Sequence, residues 1–176
     1  AMGEISQRLG MDLFGVDQDT MEGVVGRLLL EKGLTLATAE SCTGGLIGHR
    51  ITEVSGSSAY YLGGIVCYSN ESKVRDLGVP REIIETHGAV SAPCAQAMAE
   101  GVRKRFASAI GIATTGIAGP SGGTPQKPVG TVFIALSAED GTEVKGFRFF
   151  GDRHQVKLMT SQVALDWIRR FLLRLC

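Results

Sequence analysis

Three short apolar runs, Leu34 to Ala39, Tyr60 to Tyr68 and Ala109 to Thr115, are separated by longer stretches of helical periodicity. This alternation constrains the fold more than any other feature of the chain. A short run of small and β-branched residues bounded by glycine reads as a buried strand, and an apolar stripe recurring every three or four residues reads as a helix laid against it. Thr20 is placed to cap a helix through Lys32, with Val24, Val25, Leu28 and Leu29 on one face and Gly33 to end it. Gly44 to about Val54, Asn70 to Arg75, Pro80 to His87 and Ala92 to Phe106 continue the helical series, with Ser91 capping the last of them. Gly130 to Ala138 and Glu143 to Phe150 read as two strands joined by the turn Glu139-Asp140-Gly141, and an amphipathic helix from about His154 to Leu175 closes the chain. Strands alternating with helices, followed by a hairpin, predict an α/β layered sandwich around a mixed sheet. A polar lead-in, residues 1–19, precedes a single domain over residues 20–176.

Size and charge narrow the class. The 176 residues, 44% hydrophobic and 20% charged, suffice for one domain, burying roughly 70% of the surface its unfolded chain would expose. Eighteen basic residues balance eighteen acidic ones. Net charge therefore supplies no basic footprint for nucleic acid or an anionic membrane surface, and a small molecule is the expected partner. No stretch approaches the length of a membrane span, and residues 1–10 lack the apolar core of a signal peptide. Cys42, Cys67, Cys94 and Cys176 fall at no C-x-x-C spacing. They read as free thiols of a reducing compartment, so the expected location is the cytoplasm.

In open α/β sheets, ligands bind outside the carboxyl ends of the strands. There the first run delivers Glu40-Ser41-Cys42-Thr43-Gly44-Gly45, the second Tyr68-Ser69-Asn70 and then Lys73, and the third Thr114-Thr115-Gly116 with a Gly/Pro-rich loop to Pro128. The N–H groups of Thr43, Gly44 and Gly45 are expected to open the following helix, a natural seat for a phosphate or for the oxyanion of acyl transfer. The two glycines serve equally well to let strand and helix pack closely. The loop has the glycine content of a phosphate loop but lacks the G-x-x-x-x-G-K-[ST] pattern, which disfavours a nucleoside-triphosphate hydrolase.

Ser41 and Cys42 compete as nucleophile. A thiol near a helix amino terminus is expected to ionise easily and react unaided, whereas a serine needs a base. His49, His87 and His154 lie within or at the ends of helices and read as surface or capping residues. Lysine can serve where burial disfavours the ammonium form, and Lys73 and Lys127 both lie beside strand ends. There is no Ser-x-x-Lys, so a serine–lysine pair has to be assembled by the fold, and Lys73 alone reads first as a solvated helix-face residue. Arg153 can grip a phosphate bidentately. Its place in the first turn of the last helix, against the dipole, argues for a use beyond helix stability.

The segments "ATAESCTGG" (37–45), "YSNESK" (68–73), "HGAVS" (87–91), "TGIAGPSGG" (115–123), "KPVGTV" (127–132) and "GDR" (151–153), in this order, resemble the CinA C-terminal-domain family, the PncC-type nicotinamide-nucleotide amidases. The resemblance runs from about Leu13 onward. It implies a three-layer α/β/α sandwich around a mixed, mostly parallel sheet with a C-terminal hairpin, a homodimer, and neither metal nor cofactor. It implies hydrolysis of nicotinamide mononucleotide to nicotinate mononucleotide and ammonia, with Ser41 as nucleophile, Lys73 as its base and Tyr68 in the proton relay. The same resemblance marks Thr115 and Arg153 as site residues, and with the strand-end reading the expected oxyanion donors are Cys42, Thr43, Gly44 and Gly45 and the expected substrate contacts Asn70, Thr115, Gly116, Gly119 and Arg153. Longer members carry a molybdopterin-binding-like domain upstream, so a stand-alone form or a fragment is expected. A nucleotide-binding module without turnover is the alternative from another class.

Overall fold

The computed structural model describes residues 8–175. The first seven residues of the lead-in and Cys176, with its expected free thiol, lie outside the described residues. Helix α1 (Met21–Lys32) starts where Thr20 accepts a hydrogen bond from Gly23 N and stops at Gly33, whose φ of 62° turns the chain left-handed. Strand β1 (Leu36–Glu40), helix α2 (Leu46–Thr52) and strand β2 (Tyr61–Val66) follow. Helices α3 (Asn70–Leu77), α4 (Arg81–His87) and α5 (Ala92–Phe106) then lead to strand β3 (Ile110–Gly116). Strands β4 (Thr131–Ala138) and β5 (Gly141–Arg148) form the hairpin, and helix α6 (Arg153–Arg174) ends the chain.

The five strands are ordered β2-β1-β3-β4-β5. From β1 the chain crosses through α2 to β2 on one side, then returns through α3, α4 and α5 to β3 on the other. Right-handed crossovers in opposite directions place their helices on opposite faces of the sheet. One apolar core accordingly joins α1, α2 and α6 through residues such as Val25, Leu29, Ile47, Ile51, Val156 and Leu165. The second joins the α3, α4 and α5 side through Leu77, Cys94, Met98, Ala99 and Val102. Between these layers β1 is buried along its whole length, Thr38 and Glu40 included.

The sheet is α/β as expected, but it is less parallel than the expectation. Pairings β1–β2 and β1–β3 are parallel, and β3–β4 and β4–β5 are antiparallel. Parallel neighbours need a crossover of a dozen residues or more, usually helical. The chain from β3 to β4 is a loop that never crosses the sheet, so β4 comes back alongside β3, and the tight turn before Gly141 reverses the chain again.

The chain reverses its direction of winding at β1, and the crevice at the carboxyl ends of β1 and its neighbours is the switch point of the fold. Glu40 closes β1 there at 1% exposure. Its Oε2 accepts from Ile47 N at 3.0 Å and its Oε1 from Gly48 N at 2.8 Å. These are the first-turn donors of α2, and Gly45 at the N-cap has no side chain to satisfy them. Replacing Glu40 by Ala leaves two donors without a partner, so urea denaturation should show a loss of about 3 kcal/mol, with Glu40→Gln losing less.

Candidate active site

Ser41 directly follows β1, and its N–H donates to Thr114 O on β3 at 3.0 Å. Lys73 lies one turn into α3, whose cap is the Ser69 hydroxyl accepting from Ser72 N. The lysine is not solvated: it is 2% exposed. Its Nζ donates to Ser41 Oγ at 3.1 Å and to Cys67 O at 2.8 Å, so the fold joins two residues 32 positions apart. The bland reading of Lys73 as a helix-face residue is thereby corrected. Helix α3 turns this face inward over the carboxyl end of β2. Lys127, the other lysine weighed as a base, instead donates to His87 O at 2.8 Å.

The segment after Ser41 differs in detail from the expected helix opening. Gly44 and Gly45, at φ 62° and 93°, form a left-handed turn that precedes α2. Only glycine adopts two such conformations in succession without strain. Gly44 N returns to Ser41 O at 3.2 Å, and the donors of the helix itself are taken by Glu40. The N–H groups of Cys42, Thr43 and Gly45 enter no main-chain hydrogen bond among the described residues. Thr43 is pinned through its hydroxyl, 2.8 Å from the Thr114 hydroxyl.

Cys42 is the clearest reversal of a sequence expectation. The residue is 6% exposed, and burial pushes its thiol up to about 12, only partly offset by hydrogen bonds from Thr114 and from the N–H groups of Cys42 and Thr43. Proximity to a helix start does not lower it, because the side chain points into the core beside α1, α2 and α6 and not toward solvent. Cys67 is likewise buried and pushed up to about 11 by desolvation, which the nearby Lys73 opposes. Cys42, Cys67 and Cys94 are all free thiols.

The remaining candidates form the outer wall. Tyr68 is 62% exposed, and its hydroxyl accepts from Arg153 Nη2 at 2.7 Å. Arg153 Nη1 donates to Gly119 O at 3.0 Å, so one guanidinium ties the end of β2, the glycine loop and the start of α6 together. Lys73 makes its hydrogen bonds to Ser41 and Cys67, and Tyr68 makes its own to Arg153. Thr115 is buried, and its hydroxyl donates to Ala89 O at 2.8 Å, holding the loop before α5. Gly116 ends β3 opposite Val132, and Asn70 is exposed at the start of α3. Lys157, which the sequence did not single out, reaches the same region: a Cβ built on Gly44 would stand 3.6 Å from its Nζ. The i, i+4 spacing from Arg153 is the signal that could have found it.

A three-layer α/β domain with a serine and a buried lysine in hydrogen-bond contact at its switch point defines the class of protein. The family model of the CinA C-terminal domain matches residues 18–172, and the chain belongs to that family. A CinA-like protein of Citrifermentans bemidjiense is 55% identical over 173 residues, covering 98% of this chain and 42% of that protein. The chain therefore spans about two fifths of the length of the curated relatives it matches. Among solved structures, the competence damage-inducible protein A of Klebsiella pneumoniae superposes with a TM-score of 0.86 at 35% identity, covering 89% of this chain and 97% of that one. The competence/damage-inducible protein CihA of Agrobacterium tumefaciens gives 0.83 at 38% identity, covering 91% and 99%. No helix among the described residues is long and apolar enough to cross a membrane.

The Cys42 geometry has a direct chemical consequence. A thiol at about 12 is ionised in about one molecule in ten thousand at pH 8. Iodoacetamide at that pH should leave Cys42 unlabelled in the folded protein and label it after denaturation, as read by peptide mass mapping. The unfolded thiol releases its proton near 9.0, while the folded one keeps it to about 12. The unfolded state thus binds fewer protons in that window, and stability falls as pH rises through it. Cys42→Ala should flatten this alkaline loss in urea titrations.

Proposed function

We propose that this domain is a serine amidohydrolase that removes the carboxamide nitrogen of nicotinamide mononucleotide, giving nicotinate mononucleotide and ammonia in pyridine-nucleotide salvage. One observation carries the reading: the amine of a nearly fully buried lysine lies 3.1 Å from the hydroxyl of Ser41. That is the reach a general base needs to take the nucleophile's proton. A binding module without turnover has no use for such a contact, and this disfavours the second reading. The choice of substrate rests on the family's sequence motifs.

Ser41 Oγ attacks the carboxamide carbon as its proton passes to Lys73 in the amine form. The negative charge that develops on the carbonyl oxygen is met by N–H groups of the turn that enter no main-chain hydrogen bond, drawn from Cys42, Thr43 and Gly45, each well-placed donor contributing roughly 3–4 kcal/mol. Lys73 returns the proton to the nitrogen, the C–N bond breaks and ammonia leaves, with an acyl-serine remaining. Water then attacks the acyl carbon and gives a proton to Lys73. The ester bond breaks, and Ser41 is regenerated by that proton as the acid departs. Glu40 and Thr114 act by holding the turn. Arg153, Tyr68, Asn70, Gly116 and Gly119 form the wall for the nucleotide, with Thr115 keeping its floor in place. Tyr68 serves there with Arg153, consistent with its hydrogen bond, in place of the relay role expected from the sequence.

Ammonia release from nicotinamide mononucleotide tests the reading. Ser41→Ala and Lys73→Met should each lower kcat by roughly 10²–10⁴-fold with the folded state intact by circular dichroism. Turnover near the wild-type rate in Ser41→Ala would remove the serine from its role. Arg153→Ala should raise KM roughly ten-fold with little change in kcat, and a pure loss of kcat would contradict its place in substrate binding.

A further inference from the structure

The first two turns of α6 carry two cations toward the serine turn, and the role given to Arg153 accounts for only one of them. Arg153 and Lys157 are one turn apart on the same helix and so share a face. Arg153 reaches Tyr68 and Gly119, while the Lys157 amine lies over Gly44, the exposed left-handed glycine of the turn that follows the nucleophile. Neither cation is spent on a carboxylate. Among the described residues Arg153 and Lys157 form no ion pair, as is also true of Arg103, Lys104, Lys145 and Arg148, so it is the place of the first two beside the serine turn that sets them apart. The adjacent Asp152 carboxylate is turned to Gln155 N at 2.8 Å as the helix cap. Positive charge at a helix amino terminus opposes the dipole, and the one acidic group at this end of α6 is the Asp152 cap, already turned to the backbone.

We propose that Lys157 and Arg153 together seat a phosphomonoester, with Lys157 as the residue that makes the site prefer a mononucleotide to its nucleoside. The proposal rests on the amidase reading for the identity of the substrate but not for the phosphate seat itself. A phosphomonoester at neutral pH carries close to two negative charges, and two unpaired cations match that count. Arg153 has five N–H donors and places two of them on Tyr68 and Gly119, which leaves others for phosphate oxygens. Lys157 adds a point charge beside the Gly44 turn.

Calorimetric titration of the Ser41→Ala protein, in which substrate is not consumed, separates the outcomes. With nicotinamide mononucleotide, Lys157→Gln should weaken binding roughly ten-fold or more, while binding of nicotinamide riboside stays unchanged and Lys157→Arg restores most of the loss. Equal weakening of both ligands, or no change in either, overturns the proposal. Urea midpoints of the variants establish that each is folded. Ribose 5-phosphate distinguishes the two readings. If it binds in a Lys157-dependent way while wild-type protein releases no ammonia from the mononucleotide, the amidase reading fails and the phosphate seat stands. If ammonia is released with KM for the mononucleotide unchanged by Lys157→Gln, the seat fails and the amidase stands.

Discussion

The buried amine of Lys73 is the constraint on which the rest of the site depends. An amine taken out of water has to find acceptors, and this one has two, Ser41 Oγ and Cys67 O. They belong to neighbouring parallel strands, in which Glu40 stands opposite Val66 and Cys67 N donates to Glu40 O at 2.9 Å. The pair is therefore a product of the β1–β2 register. A slip of one residue would carry the Cys67 carbonyl roughly 3.3 Å along the strand and turn alternate side chains to the other face. Lys73 itself is delivered by a short helix with a serine cap at one end and the left-handed Gly78 at the other.

The serine is braced from the opposite side as well. Ser41 N and the Thr43 hydroxyl are both fastened to Thr114 on β3, and Glu40 anchors the start of α2. Three neighbouring strands thus define the position of one hydroxyl. In the proposed reaction, preorganisation of this kind would let main-chain donors meet a developing charge without moving. The outer wall is built differently. Arg153 crosses from α6 to the glycine loop and to an exposed tyrosine, a bridge between surface elements that ligand contacts can share.

Much of this architecture was legible in the chain. Helix α5 runs over Ala92–Phe106 as its capping serine and terminal residues imply, and β1 and β3 overlap the small, β-branched apolar runs, each continuing one residue past the run's end, to Glu40 and Gly116. The strand-end rule brought Ser41, Lys73 and Thr115 to one end of the sheet. Local pattern could not supply the direction of a side chain. Cys42 follows a strand and precedes a helix, which suggests a reactive thiol, yet the turn points it into the core, where desolvation dominates. Lys73 reads as a solvated residue on a helix face, and nothing in the local pattern singles out Lys157. Whether a lysine folds inward depends on which acceptors lie across the gap, and those are long-range consequences of packing. The parallel bias was overestimated for a related reason. The chain between β3 and β4 is glycine-rich and as long as a short crossover, and only its path shows that it stays on one edge.

In the proposed reaction the acyl group passes through Ser41. Rapid acid quenching of wild-type protein during turnover of nicotinamide mononucleotide, followed by peptide mass mapping, tests it most directly. The account predicts an adduct with the mass of the nicotinate mononucleotide acyl group on Ser41, in the peptide that also contains Cys42, with fragmentation assigning it to the serine. The same adduct located on Cys42 would contradict it.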